Sequence, residues 1–342
     1  MKTTPRILIS RTDRMGDVLM SLHAVACVRR NLPDAHIDFL VRKEVIPVLK
    51  GVMGEWRVGL REFSGTQELK GYSAALCLYD EPTLLQILKK ENVPVRVGNY
   101  SKLRSFLFLT KGVRQRRALS QKSEGEYNLE LARLFLKELG AKDIYVPHPV
   151  LLPVIASAQV EAREALIRAG VQAGEAYWVA HPGMGGSALN LAPEAYVQLL
   201  SDLGRKMGGP LILTLGPAVA DLRLVEALVE ARSDWRVLPR VSLAAVGEVF
   251  RGAGLVVAPS TGPLHLAHYN GAQTLGLYSP VRSHKPKRWA PWGGAGKSFV
   301  LCPENPCPGK RDCLGRACKF YYCLDGLASA GLPTALRGAL TT

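Results

Sequence analysis

The chain has 342 residues, 47% of them hydrophobic and 21% charged, a balance that excludes a disordered segment and at this length suits two domains of ordinary size. Lysine and arginine total 44 against 29 acidic residues, a formal charge of +15, which favours an anionic partner. No apolar run is long enough to span a bilayer, and Met1-Lys2-Thr3-Thr4-Pro5-Arg6 carries no signal-peptide block, so a cytoplasmic protein is expected.

Ile7-Leu8-Ile9-Ser10 predicts a buried strand, and the apolar spacing from Val18 to Leu32 predicts a helix closed by Pro33. The short turn between them brings Gly16 and Asp17 to the carboxyl edge of a sheet, where open α/β folds place their ligands. An Asp in the first turn of a helix is also stabilised by the free amides and the macrodipole there. On this stretch alone Asp17 therefore reads either as a helix-end residue or as a chemical group. His36–Val41 reads as the second strand, Ala74–Tyr79 as a third ending at Asp80 and followed by a helix through Leu88, and Val95–Gly98 as a fourth. Between Ser101 and Lys122 a long loop is expected, carrying Phe106-Leu107-Phe108-Leu109. Over Arg96–Lys122 the basic residues are Arg96, Lys102, Arg104, Lys111, Arg114, Arg116, Arg117 and Lys122, with no acid among them. So one-sided a field suits a bound polyanion as readily as a solvated face. A helix from Tyr127 to Leu139 ends at Gly140, and the proline-rich stretch Val146–Pro153 is a linker.

The same grammar then restarts. A helix over Val160–Arg168 precedes the strand Tyr177–Ala180, which ends at His181-Pro182-Gly183 and a Gly-rich turn through Ser187. Helices are expected over Pro193–Leu203, Asp221–Ala231 and Leu243–Phe250, and strands over Leu211–Leu215, Trp235–Leu238 and Leu255–Ala258. After the last strand, Ser260-Thr261-Gly262-Pro263 turns the chain into a helix whose first amides form a phosphate cradle. His265, in the first turn of that helix, reads equally as a phosphate or ribose donor and as a packed core histidine. The turns at Gly183 and at Gly216-Pro217 converge on the same sheet edge. Two such α/β halves about a proline-rich hinge invite a ligand into the cleft between them. Cys27 and Cys77 fit core positions, whereas Cys302, Cys307, Cys313, Cys318 and Cys323 crowd one segment. No pair there has the two-residue spacing of a zinc ribbon, so free thiols and a structural metal site both remain open.

Taken together, Ile7–Leu19, His181-Pro182-Gly183, Leu213-Thr214-Leu215-Gly216-Pro217, Ser260–Ala267 and Trp289-Ala290-Pro291-Trp292-Gly293 resemble the ADP-heptose:lipopolysaccharide heptosyltransferases, glycosyltransferase family 9, in content and order. The resemblance implies an α/β GT-B architecture: two Rossmann-like doubly wound domains facing a central cleft. Residues 1–153 would bind the acceptor and residues 154–325 the nucleotide sugar, with a tail over 326–342 packing back on the N-terminal domain. It implies inverting transfer from ADP-heptose to a Kdo-lipid A type acceptor with no required metal or cofactor, and it makes Asp17 the general base. Donor contacts would come from Ser260, Thr261, Gly262, His265, Gly183, Ser187, Gly216 and Asp221. Acceptor contacts would come from Arg11, Arg14, Gly16, Arg96, Arg104, Arg114, Arg116 and Arg117, with Phe106 and Phe108 dipping into the inner face of the inner membrane. Ser260 replaces the family's Asp and Leu189 its basic residue, which leaves open another nucleotide sugar or an inactive binding protein. A nucleic-acid partner is not expected, because the basic segment has no aromatic platform for bases.

Overall fold

The computed structural model describes residues 4–147, 149–185, 190–304, 307, 308, 313, 314, 318, 323–327 and 336. Ser187 and Leu189 lie outside them. The first compact unit comprises Met1–Arg117 with Lys122–Pro153, and the second Ala118–Gln121 with Val154–Thr342.

Aliphatic runs too short for helices become the strands of the first unit: β1 (Arg6–Ser10), β2 (His36–Val41), β3 (Val58–Glu62), β4 (Ala74–Cys77), β5 (Val95–Asn99) and β6 (Lys111–Val113). They form one parallel sheet in the order β3-β2-β1-β4-β5-β6. Ile7, Leu8 and Ile9 of β1 are all fully buried although successive side chains point to opposite faces, so this central strand is covered on both sides. The helices are α1 (Met15–Leu19), α2 (Leu22–Asn31), α3 (Ile46–Glu55), α4 (Pro82–Lys90), α5 (Leu103–Phe108) and α6 (Glu124–Glu138). Strand order reverses between β1 and β4, and that switch point is where a doubly wound sheet opens a crevice at its carboxyl edge.

The second unit repeats the plan with β7 (Trp178–Ala180), β8 (Leu211–Leu213), β9 (Arg236–Val237), β10 (Val256–Pro259), β11 (Thr274–Leu277) and β12 (Ser298–Leu301). Its parallel order is β12-β11-β10-β7-β8-β9, so the reversal falls between β7 and β10. Its helices are α7 (Ala156–Arg168), α8 (Pro193–Gly204), α9 (Val219–Ala231), α10 (Leu243–Gly252), α11 (Gly262–Tyr269) and α12 (Pro286–Trp289). Trp178, Tyr196, Leu199, Leu200 and Leu213 are among the side chains of its core.

Two expectations are corrected. The helix over Val18–Leu32 is two helices, because the Ser21 hydroxyl donates to the Val18 carbonyl (2.6 Å) and competes with the backbone ladder where α1 ends. The basic stretch after Ser101 is not a loop but carries α5 and β6, and β6 adds an edge strand through Gly98 opposite Gly112. A Cβ on Gly112 would stand 2.6 Å from the Gly98 carbonyl oxygen, so only glycine lets these strands approach. The tail expected to return to the first domain has most of its residues outside the described set; of those described, Leu327 and Leu336 pack in the second unit's core.

Helix α6 starts three residues before its expected first residue, at a reciprocal cap: Glu126 N–H donates to Ser123 Oγ (3.0 Å) and Ser123 N–H to Glu126 Oε2 (2.7 Å). Replacing Ser123 by Ala removes one half of that cap. The expected result is a loss of about 1 kcal/mol, read as a lower urea midpoint with unchanged slope.

Candidate active site

The first cluster sits at the switch point of the first sheet. Arg11 leaves the end of β1, its backbone N–H bonded to the Leu40 carbonyl, and its side chain is 2% exposed. Every one of its five guanidinium donors has an acceptor. Nε donates to Asp13 Oδ1 (2.8 Å), Nη1 to the Leu78 carbonyl (3.0 Å) and Asn128 Oδ1 (2.9 Å), and Nη2 to Asp17 Oδ1 (2.7 Å) and Glu124 Oε1 (3.1 Å). Glu124, in the first turn of α6, is fully buried and also accepts from Arg117, which further grips Gln115 Oε1 at 2.7 and 2.9 Å. Helix α1 has Arg14 at its N-cap and no side-chain cap, so Asp17 is not serving as one.

Three carboxylates here face two guanidiniums, Arg11 and Arg117. The Asp17 carboxyl is pushed up to about 7: burial raises it most, Arg11 lowers it, and Asp13 and Glu124 raise it further. Arg11 is held above its ordinary value, because its three carboxylate neighbours outweigh the burial that acts the other way. A carboxylate of this kind is suited to accept a proton near neutral pH.

The arginines expected at an acceptor divide in two. Arg14, Arg114 and Arg116 are exposed. Arg11 and Arg117 are instead committed to the Asp17 network, and Arg96 is tied to the Phe108 and Val93 carbonyls. Arg104 donates to the Asp80 carbonyl (3.3 Å) while remaining partly exposed. Gly16 is buried inside α1. Asp13, Glu124 and Asn128 escaped the sequence reading. Acidic residues near a helix start look like dipole partners, and an arginine 113 positions from Glu124 leaves no local signal.

The second cluster lies at the switch point of the second sheet. His181 follows β7 and shares a hydrogen bond with Thr214 Oγ1 (Nδ1 to oxygen, 2.8 Å) after β8. Ser260, Thr261 and Gly262 follow β10 and open α11, where Thr261 Oγ1 donates back to the Pro259 carbonyl (3.2 Å) and does not cap the helix. That start, with Pro263 just inside it, leaves first-turn amides directed at the crevice. Asp221, expected at the donor, is 5% exposed and holds the turn after His181: its carboxylate accepts from the backbone N–H of Met184 (2.9 Å) and Gly185 (3.3 and 3.4 Å). A Cβ on Gly183 would lie 3.0 Å from Asp221 Cγ, and one on Gly216 2.2 Å from Asp221 Oδ2, so both glycines make room for that carboxylate. His265 is buried, with Nδ1 lacking a partner among the described residues, and its pKa falls to about 3 through burial and then His268. The imidazole is therefore neutral and donates no charge. Burial likewise lowers His181 to about 4, against the pull of Asp221.

The five clustered cysteines are half-buried. Burial raises the Cys323 thiol, and Cys307, Cys313 and Cys318 nearby raise it further. Among the described residues no group of three or more His, Cys, Asp or Glu is arranged to hold a metal ion.

A sequence model of glycosyltransferase family 9 (heptosyltransferase) matches residues 138–317. A Haemophilus influenzae protein provisionally named a glycosyltransferase is 27% identical over 313 residues, spanning 87% of this chain and 89% of that one. The family 9 glycosyl transferase of Veillonella parvula superposes with a TM-score of 0.69 at 16% identity, covering 88% of this chain and 87% of its own. Escherichia coli heptosyltransferase WaaC with ADP gives a TM-score of 0.63 at 20% identity, covering 90% and 94%. Both likenesses are of fold, and they make the architecture GT-B.

Two outcomes are expected of this geometry. Because the folded pKa of Asp17 lies above its unfolded value, the protonated side chain favours folding at low pH, and that contribution is lost as pH rises through about 7. Asp17→Asn should thus leave the melting temperature unchanged near pH 4 and raise it by a few degrees near pH 8, measured by calorimetry. Gly216→Ala should displace Asp221 and cost roughly 1–3 kcal/mol in denaturant unfolding.

Proposed function

Because the chain belongs to glycosyltransferase family 9, the heptosyltransferases, we propose that it transfers heptose from ADP-heptose to an anionic lipopolysaccharide inner-core acceptor of Kdo-lipid A type. The observation that carries this reading is the Asp17 carboxylate, held by a saturated arginine at a sheet switch point and poised near neutrality.

In the proposed reaction ionised Asp17 takes the proton from an acceptor hydroxyl as that oxygen attacks the anomeric carbon of heptose. The new glycosidic bond forms as the bond to ADP breaks, with inversion. Charge developing on the departing diphosphate is met by the backbone amides of Thr261, the N-cap of α11, and Gly262, its first residue, and by the dipole of that helix. The reading requires no metal. WaaC has been solved with ADP and with ADP-2-deoxy-2-fluoro heptose, which supports an ADP-sugar as donor here. Exposed Arg14, Arg114 and Arg116 supply cations for the phosphates and acid sugars of the acceptor. Among the described residues no helix is long and apolar enough to cross a membrane, and the proposed place of work is the inner face of the inner membrane, as a peripheral protein. Ser260, where the family has an acid, favours one second reading, a different nucleotide sugar in the same chemistry.

The test is ADP release from ADP-heptose with a Kdo-lipid A type acceptor, alongside a panel of other nucleotide sugars. Asp17→Asn is expected to lower kcat about 10²–10⁴-fold while ADP-heptose still raises the melting temperature. In the wild type kcat/KM should climb with pH and level off above about 7, as the base ionises. Full turnover by Asp17→Asn would overturn the assignment of the base, and binding of ADP-heptose without release would leave a binding protein.

A further inference from the structure

The start of α11 is bordered by a basic turn. β10 and β11 are neighbouring parallel strands whose last residues, Pro259 and Leu277, are paired, and the Ser260 N–H donates to the Leu277 carbonyl (3.1 Å). Adjacent strands lie about 4.8 Å apart, so the segment after β11 leaves the sheet edge beside Ser260-Thr261-Gly262. It makes a 3₁₀ turn over Arg282–His284 and then α12. Tyr278 and Trp289 fasten it to α11, since both pack in one cluster with Ala258 and with Leu264 in the first turn of that helix. A Cβ on Gly276 would stand 2.5 Å from Tyr278 Cε2 and 2.9 Å from Leu264 Cδ2, so a glycine on β11 is what lets the two meet. The backbone of the turn is fixed as well: Trp289 Nε1 donates to the Ser283 carbonyl (2.7 Å), the Tyr278 hydroxyl to the Trp289 carbonyl (3.2 Å) and the His284 N–H to the Val281 carbonyl (2.9 Å).

No acid occurs over residues 249–303, yet Arg282, Lys285, Lys287 and Arg288 crowd this one segment. Arg288 lies over the Trp289 ring, 4.4 Å from its centroid. Arg282, Lys285 and Lys287 are exposed, and among the described residues no carboxylate pairs with them. A 3₁₀ turn has three residues per turn, so Arg282 and Lys285 leave it on the same side. Burial raises the thiol of Cys302, which packs in the cluster around Leu264, and Lys285 is close enough to oppose that rise. Asp221, brought to the same sheet edge by α9, is already engaged by the amides of Met184 and Gly185. Two cations side by side without a counter-charge repel each other until an anion reaches both. A diphosphate at the first amides of α11 is such an anion, with one phosphoryl group for each cation.

We propose that Arg282 and Lys285 bind the two phosphoryl groups of the donor at the start of α11, and that the pair makes this site select nucleoside diphosphate sugars over nucleoside monophosphate sugars. Their role rests on the nucleotide-sugar reading of the same crevice.

The experiment is titration calorimetry of the full chain with ADP, AMP, adenosine and inorganic pyrophosphate, at low and moderate salt. Wild type is expected to bind ADP more tightly than AMP, with an affinity that weakens as salt rises. Arg282→Gln and Lys285→Gln should each lower ADP affinity roughly tenfold, leave adenosine affinity unchanged and keep the melting temperature of the wild type. Lys287→Gln removes a charge from the same segment and should change none of these values. ADP affinity unchanged in the double variant overturns the proposal, as does adenosine affinity that falls in step with it. An equal loss in Lys287→Gln also overturns it, by making the effect a general field. A wild type that binds neither pyrophosphate nor ADP removes the pair's role altogether, whereas one that binds pyrophosphate through Arg282 and Lys285 but no ADP keeps the anion pair and defeats the nucleotide reading alone. Failure of the transferase reading shows separately, as ADP bound through the pair with no ADP released from ADP-heptose.

Discussion

One guanidinium with all five donors engaged holds the chemistry of the first unit in place. Arg11 joins the turn after β1, the end of β4 and two successive turns on one face of α6, and it does so while buried. A cation so deprived of water is tolerable only when every donor keeps an acceptor. The three carboxylates around it therefore cannot drift apart, yet they crowd one another electrostatically. Asp17, on α1 and not fully sealed from solvent, carries the result as a carboxyl ready to exchange a proton near neutral pH. Stability and reactivity are set against each other at a single side chain.

The second unit meets the same topological opportunity with the charges reversed. There a carboxylate, Asp221, organises backbone amides of the turn after β7, and glycines at 183 and 216 are dictated by its proximity. His181 and His265 are kept neutral by burial, and the start of α11 contributes peptide dipoles to that crevice. Dipoles fixed by the backbone need no reorganisation when charge appears on a leaving group, which is the property a diphosphate site requires.

Much of this was legible beforehand because it is local. Ile7–Ser10 reads as a buried strand, Gly16-Asp17 follows it at the right distance for a crevice, and Ser260–Pro263 announces a helix start. What could not be read was short or distant. Strand β6 has three residues and α5 six, below the length at which periodicity is a signal, and so Ser101–Lys122 looked like a loop. Glu124 and Asp221 both sit in first helical turns, where an acid already has an ordinary explanation, and only packing reveals that each is buried against a partner far along the chain. The inward fate of Arg11 and Arg117 was hidden for the same reason, since a basic run says nothing about which of its members turns inside.

The reach of the Arg11 bonds has a bearing on how the protein is born. Asn128 and Glu124 stand 117 and 113 positions downstream of the arginine they satisfy. On the ribosome, which adds about 5–20 residues per second, the nascent β1 segment waits several seconds before α6 has been synthesised. Until then the arginine keeps its water and the aspartate keeps an ordinary acidity. The raised pKa of Asp17 is thus acquired late, with the closing of the first unit, and a chain cut short before α6 would carry the same motif with a carboxylate of ordinary acidity.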